Sequence, residues 1–125
     1  MTENTHKDAA IDFLLLVAAG KVRQAYDKYV SSDFRHHNAY FPGDRQGLLT
    51  AMEENATHNP DKVFEVQRAL QDGSLVAVHS KVQLKPQNLT VALVHIFEFK
   101  DGLIRELWDI GQAVPEKSPN ENGMF

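Results

Sequence analysis

Apolar positions fall into two regimes along the chain: spacings of three and four in the first half, alternation in the second. Thr5-His6-Lys7-Asp8 has the form of a capping box, in which a hydroxyl and a carboxylate satisfy free amides at a helix start. The helix it opens is expected to run to about residue 19, with Gly20 as its stop. Val22, Ala25, Tyr26 and Tyr29 then follow at i, i+3, i+4 and i+7, which predicts a second helix. Two helices joined so closely must fold back on each other or bend sharply. Asp44 is a good N-cap for a third helix with Leu48, Leu49 and Met52 as its buried stripe, and Asn59-Pro60-Asp61 ends it. Between the second and third helices, residues 31–43 read as irregular.

From Val63 the pattern changes to strands. Residues 63–70, 75–84, 90–99 and 103–110 are rich in β-branched and aromatic residues, separated by Asp72-Gly73, Lys85-Pro86-Gln87-Asn88 and Asp101-Gly102. The Asp-Gly pairs are strong hairpin signals. Helices followed by a meander of strands make an α+β fold, with a curved, mostly antiparallel sheet and three N-terminal helices packed on one face. Three modest helices do not cover such a sheet. A cone with a pocket inside, and a second subunit on the other face, would dispose of the remaining apolar surface, and Val94, Ile96, Trp108 and Ile110 are the expected outer residues. Residues 1–125 are read as a single domain, and 114–125, with two prolines and a glycine, as a mobile tail.

Composition narrows the function classes. The chain has 125 residues, 42% hydrophobic and 24% charged, with a net charge of −4. Nothing in that balance is an electrostatic footprint for nucleic acid or an anionic membrane. The longest apolar run, residues 13–19, is too short to cross a bilayer and lacks the basic flank of a signal peptide. With no cysteine, disulfides, thiol nucleophiles and thiolate metal sites are excluded, and a cytoplasmic location is the default expectation.

The residues able to carry chemistry are His79, His95 and Asp109 on the strands, and His37, Asn38, Tyr40 and Phe41 in segment 31–43, which holds more imidazole and aromatic groups than a surface loop needs. Their grouping depends on two turns. A two-residue loop at Asp101-Gly102 sets His95 opposite Trp108, facing away from Asp109. A three-residue loop at Lys100-Asp101-Gly102 pairs Phe99 with Leu103 and Leu93 with Asp109, which puts Leu93, His95, Phe97, Leu107 and Asp109 on one face with His95 diagonal to Asp109. The second arrangement is preferred because it gathers His95 and Asp109 in an apolar setting, where a carboxylate has a raised pKa and acts as a base. At the preceding turn, a four-residue loop sets Val78 against His95 and a five-residue loop sets His79 there. His36 is expected to point outward, His6 and His58 to lie on the surface, and Glu53-Glu54 to be a solvated helix face.

Three stretches together carry a family likeness. Asp33-Phe34-Arg35-His36-His37-Asn38, Val76-Ala77-Val78-His79-Ser80, and above all the segment from Phe97 through Lys100-Asp101-Gly102 to Leu107-Trp108-Asp109 resemble the SnoaL-like polyketide cyclases, within the NTF2-like and ketosteroid-isomerase-like group. The resemblance covers roughly residues 8–112. It implies a cone-shaped α+β fold, a homodimer built on the open sheet face, and a deep apolar pocket. It also implies that Asp109 is the acid/base of an aldol closure, that His95 is a pocket histidine, and that no metal or organic cofactor is needed. His79 and His36-His37 fall outside the minimal cyclase apparatus.

The expected function is therefore proton transfer on a small apolar carbonyl compound, an aldol cyclisation or isomerisation. Asp109 and His95 are its catalytic residues, and His79, His37, Asn38, Tyr40, Phe41 and Phe97 contact the ligand. Removing a proton beside a carbonyl needs a desolvated base and a hydrogen-bond donor for the enolate. Two alternatives are a non-catalytic small-ligand-binding module on the same cone and a metal site built from His37, His79, His95 and Asp109.

Overall fold

The computed structural model describes residues 5–125. Helix α1, His6–Ala18, starts on the capping box: Asp8 N donates to Thr5 Oγ1 at 3.1 Å and Thr5 N donates to Asp8 Oδ2 at 3.3 Å. Gly20 sits at φ +83°, a left-handed conformation that favours glycine, and the chain reverses there into α2, Val22–Tyr29. Strand β1, Val30–His36, follows without a linker. Helix α3, Arg45–His58, is capped by Asp44, whose Oδ1 accepts from Gly47 N at 2.8 Å. Strands β2 (Val63–Asp72), β3 (Leu75–Leu84), β4 (Leu89–Lys100) and β5 (Leu103–Ala113) complete one sheet in the order β1-β5-β4-β3-β2. All pairings are antiparallel except β1 with β5.

Strand β1 corrects the sequence reading, which treats 31–43 as irregular. Only Val30, Phe34 and His36 of its seven residues are buried. Ser31, Ser32 and Asp33 hide the alternation, and its partner β5 lies some seventy residues away.

The register of the last hairpin comes from a bulge. Lys100 pairs with Leu103 across a two-residue turn in which Asp101 (φ +53°) and Gly102 (φ +82°) are both left-handed, the geometry of a type I′ turn. The loop is thus the shorter of the two considered. Phe99 pairs with Ile104 but Glu98 pairs with Glu106, so Arg105 is an extra residue in β5. That one residue restores the expected shared face but not the expected partners: Leu93 pairs with Gly111 rather than Asp109, and His95 lies directly opposite Asp109 instead of diagonal to it, with Phe97 on Leu107. At the preceding turn Leu84 pairs with Leu89 across four residues, so Val78 opposes His95 and His79 opposes Val94.

The helices cover one face. Phe13, Leu14, Val17, Tyr26 and Leu48 pack on Val76, Val78, Phe97, Phe99, Ile104 and Leu107, all buried. Phe97 meets Phe13 edge-on with ring centroids 6.0 Å apart, and removing its ring would cost roughly 3–5 kcal/mol. The opposite face carries Val94, Ile96, Trp108 and Ile110, cross-strand partners in two pairs, and no helix covers it; Ile110 is 58% exposed. Residues 114–125 form no helix or strand. Their last residue, Phe125, stacks on His79 at 5.9 Å and receives Lys81 Nζ over its ring at 5.3 Å, both on this outer face. Among the described residues no helix is long and apolar enough to cross a membrane.

Candidate active site

Beyond the packed end of the core the helices and sheet diverge, leaving a cavity of about 700 Å³. Leu14 and Val17 of α1, Leu48, Ala51 and Met52 of α3, and the inward residues of β2 to β5 form its walls. Loop 37–41 closes one side of the mouth. The polar groups in this lining are few, and His95, Asp109 and Asn38 form one connected set.

His95 and Asp109 face each other from adjacent strands, with His95 Nε2 3.4 Å from Asp109 Oδ1. That spacing is long for a hydrogen bond, and such bonds often tighten only when substrate is present. His95 is 5% exposed. Burial pushes its pKa below the ordinary value, and the nearby Asp109 charge only partly opposes this, so the ring is neutral. A neutral imidazole carries one N–H. Its Nδ1 is buried without a partner, so Nε2, directed at Asp109, is the nitrogen whose proton has somewhere to go.

The second Asp109 oxygen, Oδ2, accepts from Asn38 Nδ2 at 2.8 Å. Asn38 is held in turn: its Oδ1 accepts from Tyr40 N at 3.0 Å and its own N–H donates to His36 Nδ1 at 3.0 Å. With Nδ1 an acceptor, His36 carries its proton on Nε2 and donates it to the Pro42 carbonyl. His36 is thus a buried loop anchor, 5% exposed, not the outward residue expected. Parity along β1 explains this, because Phe34 and His36 both point to the core side. The loop is clamped from below by α3, since a Cβ added at Gly47 would overlap the Pro42 carbonyl oxygen.

Two of the expected ligand residues, His79 and Phe97, lie outside the cavity, and a third, His37, reaches it only at the rim. His79 is on the outer face, because the four-residue turn puts Val78 rather than His79 on the cavity side. There it contacts Arg68 and Phe125. The His37 ring also turns outward from the cavity rim. It stacks on Trp108 at 5.1 Å and its Nε2–H donates to Glu106 Oε2 at 2.6 Å. That bond first, and Arg35 after it, hold the Glu106 carboxyl below its ordinary pKa despite burial. Phe97 is core, fully buried under Phe13 and outside the cavity lining. Tyr40 and Phe41 do line the mouth, Tyr40 being largely exposed. The four residues of the metal alternative do not converge, with His79 and the His37 ring on the far side of the sheet from His95 and Asp109. Among the described residues no group of three or more His, Asp or Glu side chains is placed to hold a metal ion.

Two lining residues, Lys62 and Asn55, were not singled out from the sequence. Lys62, half-buried just before β2, donates through Nζ to Asn55 Oδ1 at 2.7 Å. A lysine after Asn-Pro-Asp reads as loop, and no local signal distinguishes it.

Residues 10–107 match the SnoaL-like domain family. No curated protein sequence matches the chain. Among solved structures, it is similar to IdmH, a putative polyketide cyclase from Streptomyces antibioticus, at 19% identity and TM-score 0.72, covering 86% of this chain and 92% of that one. A SnoaL-like polyketide cyclase from Agrobacterium tumefaciens gives 14% identity and TM-score 0.73, with 88% and 93% covered. An NTF2-like protein of unknown function from Cytophaga hutchinsonii gives 18% and 0.68, with 89% and 93% covered. At such identities the likeness speaks for the fold alone.

Proposed function

The chain belongs to the SnoaL-like domain family, and from that premise we propose that it is an acid/base enzyme acting on a small apolar carbonyl compound, in an aldol cyclisation or an isomerisation. The observation that carries this reading is the facing of His95 and Asp109 across 3.4 Å in the wall of an otherwise largely apolar cavity. The Asp109 carboxylate takes a proton from the carbon beside the carbonyl. The electron pair moves onto the carbonyl oxygen, and the His95 Nε2–H stabilises the resulting enolate. The carbanion then attacks a second carbonyl, whose oxygen takes up the electron pair and regains the proton from the Asp109 carboxylic acid, or it is reprotonated at another carbon by that same acid. Asn38 aims the carboxylate. All these groups belong to this chain, and the step balances without a cofactor. The uncovered strip of Val94, Ile96, Trp108 and Ile110 supports pairing with a second copy, which sedimentation velocity tests.

One observation favours a second reading, a binding module without chemistry. Both Asp109 oxygens already face protein groups, Asn38 and His95. Proton exchange distinguishes the two. The enzyme reading expects the protein to accelerate deuterium uptake beside the carbonyl of β-tetralone, followed by NMR, and expects Asp109→Asn to reduce that rate by about a hundredfold or more. A folded Asp109→Asn protein exchanging at the wild-type rate, or a wild type with no acceleration, rejects it.

A further inference from the structure

We infer that Lys62 and Asn55 form a carboxylate-binding subsite in the cavity, so that its ligand is an elongated apolar compound with an acid group at the end remote from Asp109. The inference rests on the reading above only in taking this cavity as the ligand site.

Position comes first. Lys62 precedes β2, the edge strand on one side, whereas Asp109 belongs to β5, three strands away in the order β5-β4-β3-β2. Three inter-strand steps amount to roughly 14 Å before curvature shortens them. Between the two lie Phe64, Val82, Leu84, Leu89 and Val91. A ligand filling the cavity thus meets the Asp109 carboxylate at one end, the Lys62 ammonium at the other, and apolar walls between.

Lys62 is also under-partnered. The ion pairs among the described residues do not include it. Its side chain reaches one neutral acceptor, Asn55 Oδ1, which uses one of three N–H donors. Its backbone is fixed, with Lys62 N donating to Asn59 O at 3.3 Å, and Asn59 Nδ2 donating to Asn55 O at 3.4 Å. The ammonium is therefore carried by an anchored turn rather than a free loop. Burial alone pulls its pKa below the ordinary value, so the site disfavours its own charge, and a bound anion would relieve that penalty. No carboxylate in the described residues does so. The simpler account is a snorkelling lysine whose stem merely covers apolar wall; it predicts no preference between an acid and its neutral isostere.

Calorimetry with naphthaleneacetate and naphthaleneacetamide at low ionic strength decides between them. The acid is expected to bind wild type about tenfold or more tighter than the amide. Lys62→Met should bring the acid down to the affinity of the amide, and Lys62→Arg should keep most of the preference, with unchanged circular dichroism confirming the fold of each. Equal binding of acid and amide to wild type, undetectable binding of the acid, or a preference surviving in folded Lys62→Met overturns the inference. Failure here is separable from failure of the enzyme reading. β-Tetralone has no acid group, so its exchange does not depend on Lys62, and the acid preference should persist in Asp109→Asn whatever that variant does to exchange.

Discussion

Asn38 donates to Asp109 Oδ2 at 2.8 Å across 71 positions of sequence, so the loop after β1 sets the direction of a carboxylate on β5. The same asparagine accepts from Tyr40 N and donates its backbone N–H to buried His36. The aim of Asp109 is therefore inherited from the clamped loop as well as from its own strand.

Asn38→Ala removes a hydrogen bond to a charged group, of about 1.5–3 kcal/mol. Exchange of β-tetralone protons should fall by about tenfold. Asn38→Asp, which cannot donate that bond and adds a like charge, should lose at least as much, with circular dichroism confirming the fold of each variant. An unchanged exchange rate in folded Asn38→Ala would assign Asn38 to loop structure only.

His95 makes stability depend on pH. Its folded pKa is depressed, chiefly by burial, so between that value and the unfolded value near 6.5 the unfolded chain binds a proton that the native protein does not. The contribution is complete above about pH 6.5 and is lost as pH falls below it. Urea unfolding from pH 7.5 to 5 should show this slope, and His95→Asn should flatten it. An equal slope in both proteins would contradict a neutral, buried His95.

Gly111 sets the width of the cavity. It pairs with Leu93, and an added Cβ would lie 2.8 Å from Leu93 Cδ2. That atom is the end of a movable side chain, so Gly111→Ala should displace Leu93 into the cavity rather than break the strand. The gain from replacing glycine in a strand, about 0.5–1 kcal/mol, offsets much of the strain. Thermal stability should change little, while naphthaleneacetate affinity drops at least severalfold and that of the smaller phenylacetate holds. Equal losses for both ligands would show that the backbone had moved instead.

The sequence was most legible where one local rule sufficed. Thr5 and Asp8 announce α1, Asp44 announces α3, and the Asp-Gly turns announce the hairpins, each through backbone chemistry within four residues. Lys62 was illegible because its environment comes from strands far away in sequence. His79 and His95 look alike locally, and only the length of the 85–88 turn separates their faces. The last hairpin is the instructive case. The clustering of Leu93, His95, Phe97 and Asp109 implies one residue beyond a regular two-residue hairpin, and that count is right. Its location is not, because a third loop residue and a bulge at Arg105 have the same effect on parity further along.

That equivalence gives the hairpin an asymmetric tolerance to changes in length. Deleting Arg105 would straighten β5 yet leave Phe97 on Leu107 and His95 on Asp109, since the residue lost is the one without a cross-strand partner. Inserting a single residue between Leu107 and Asp109 would turn the carboxylate out of the cavity while the strand still paired. A lineage remodelling this site by insertions and deletions can shorten the bulge without penalty to its chemistry, but beyond it can lengthen β5 only two residues at a time.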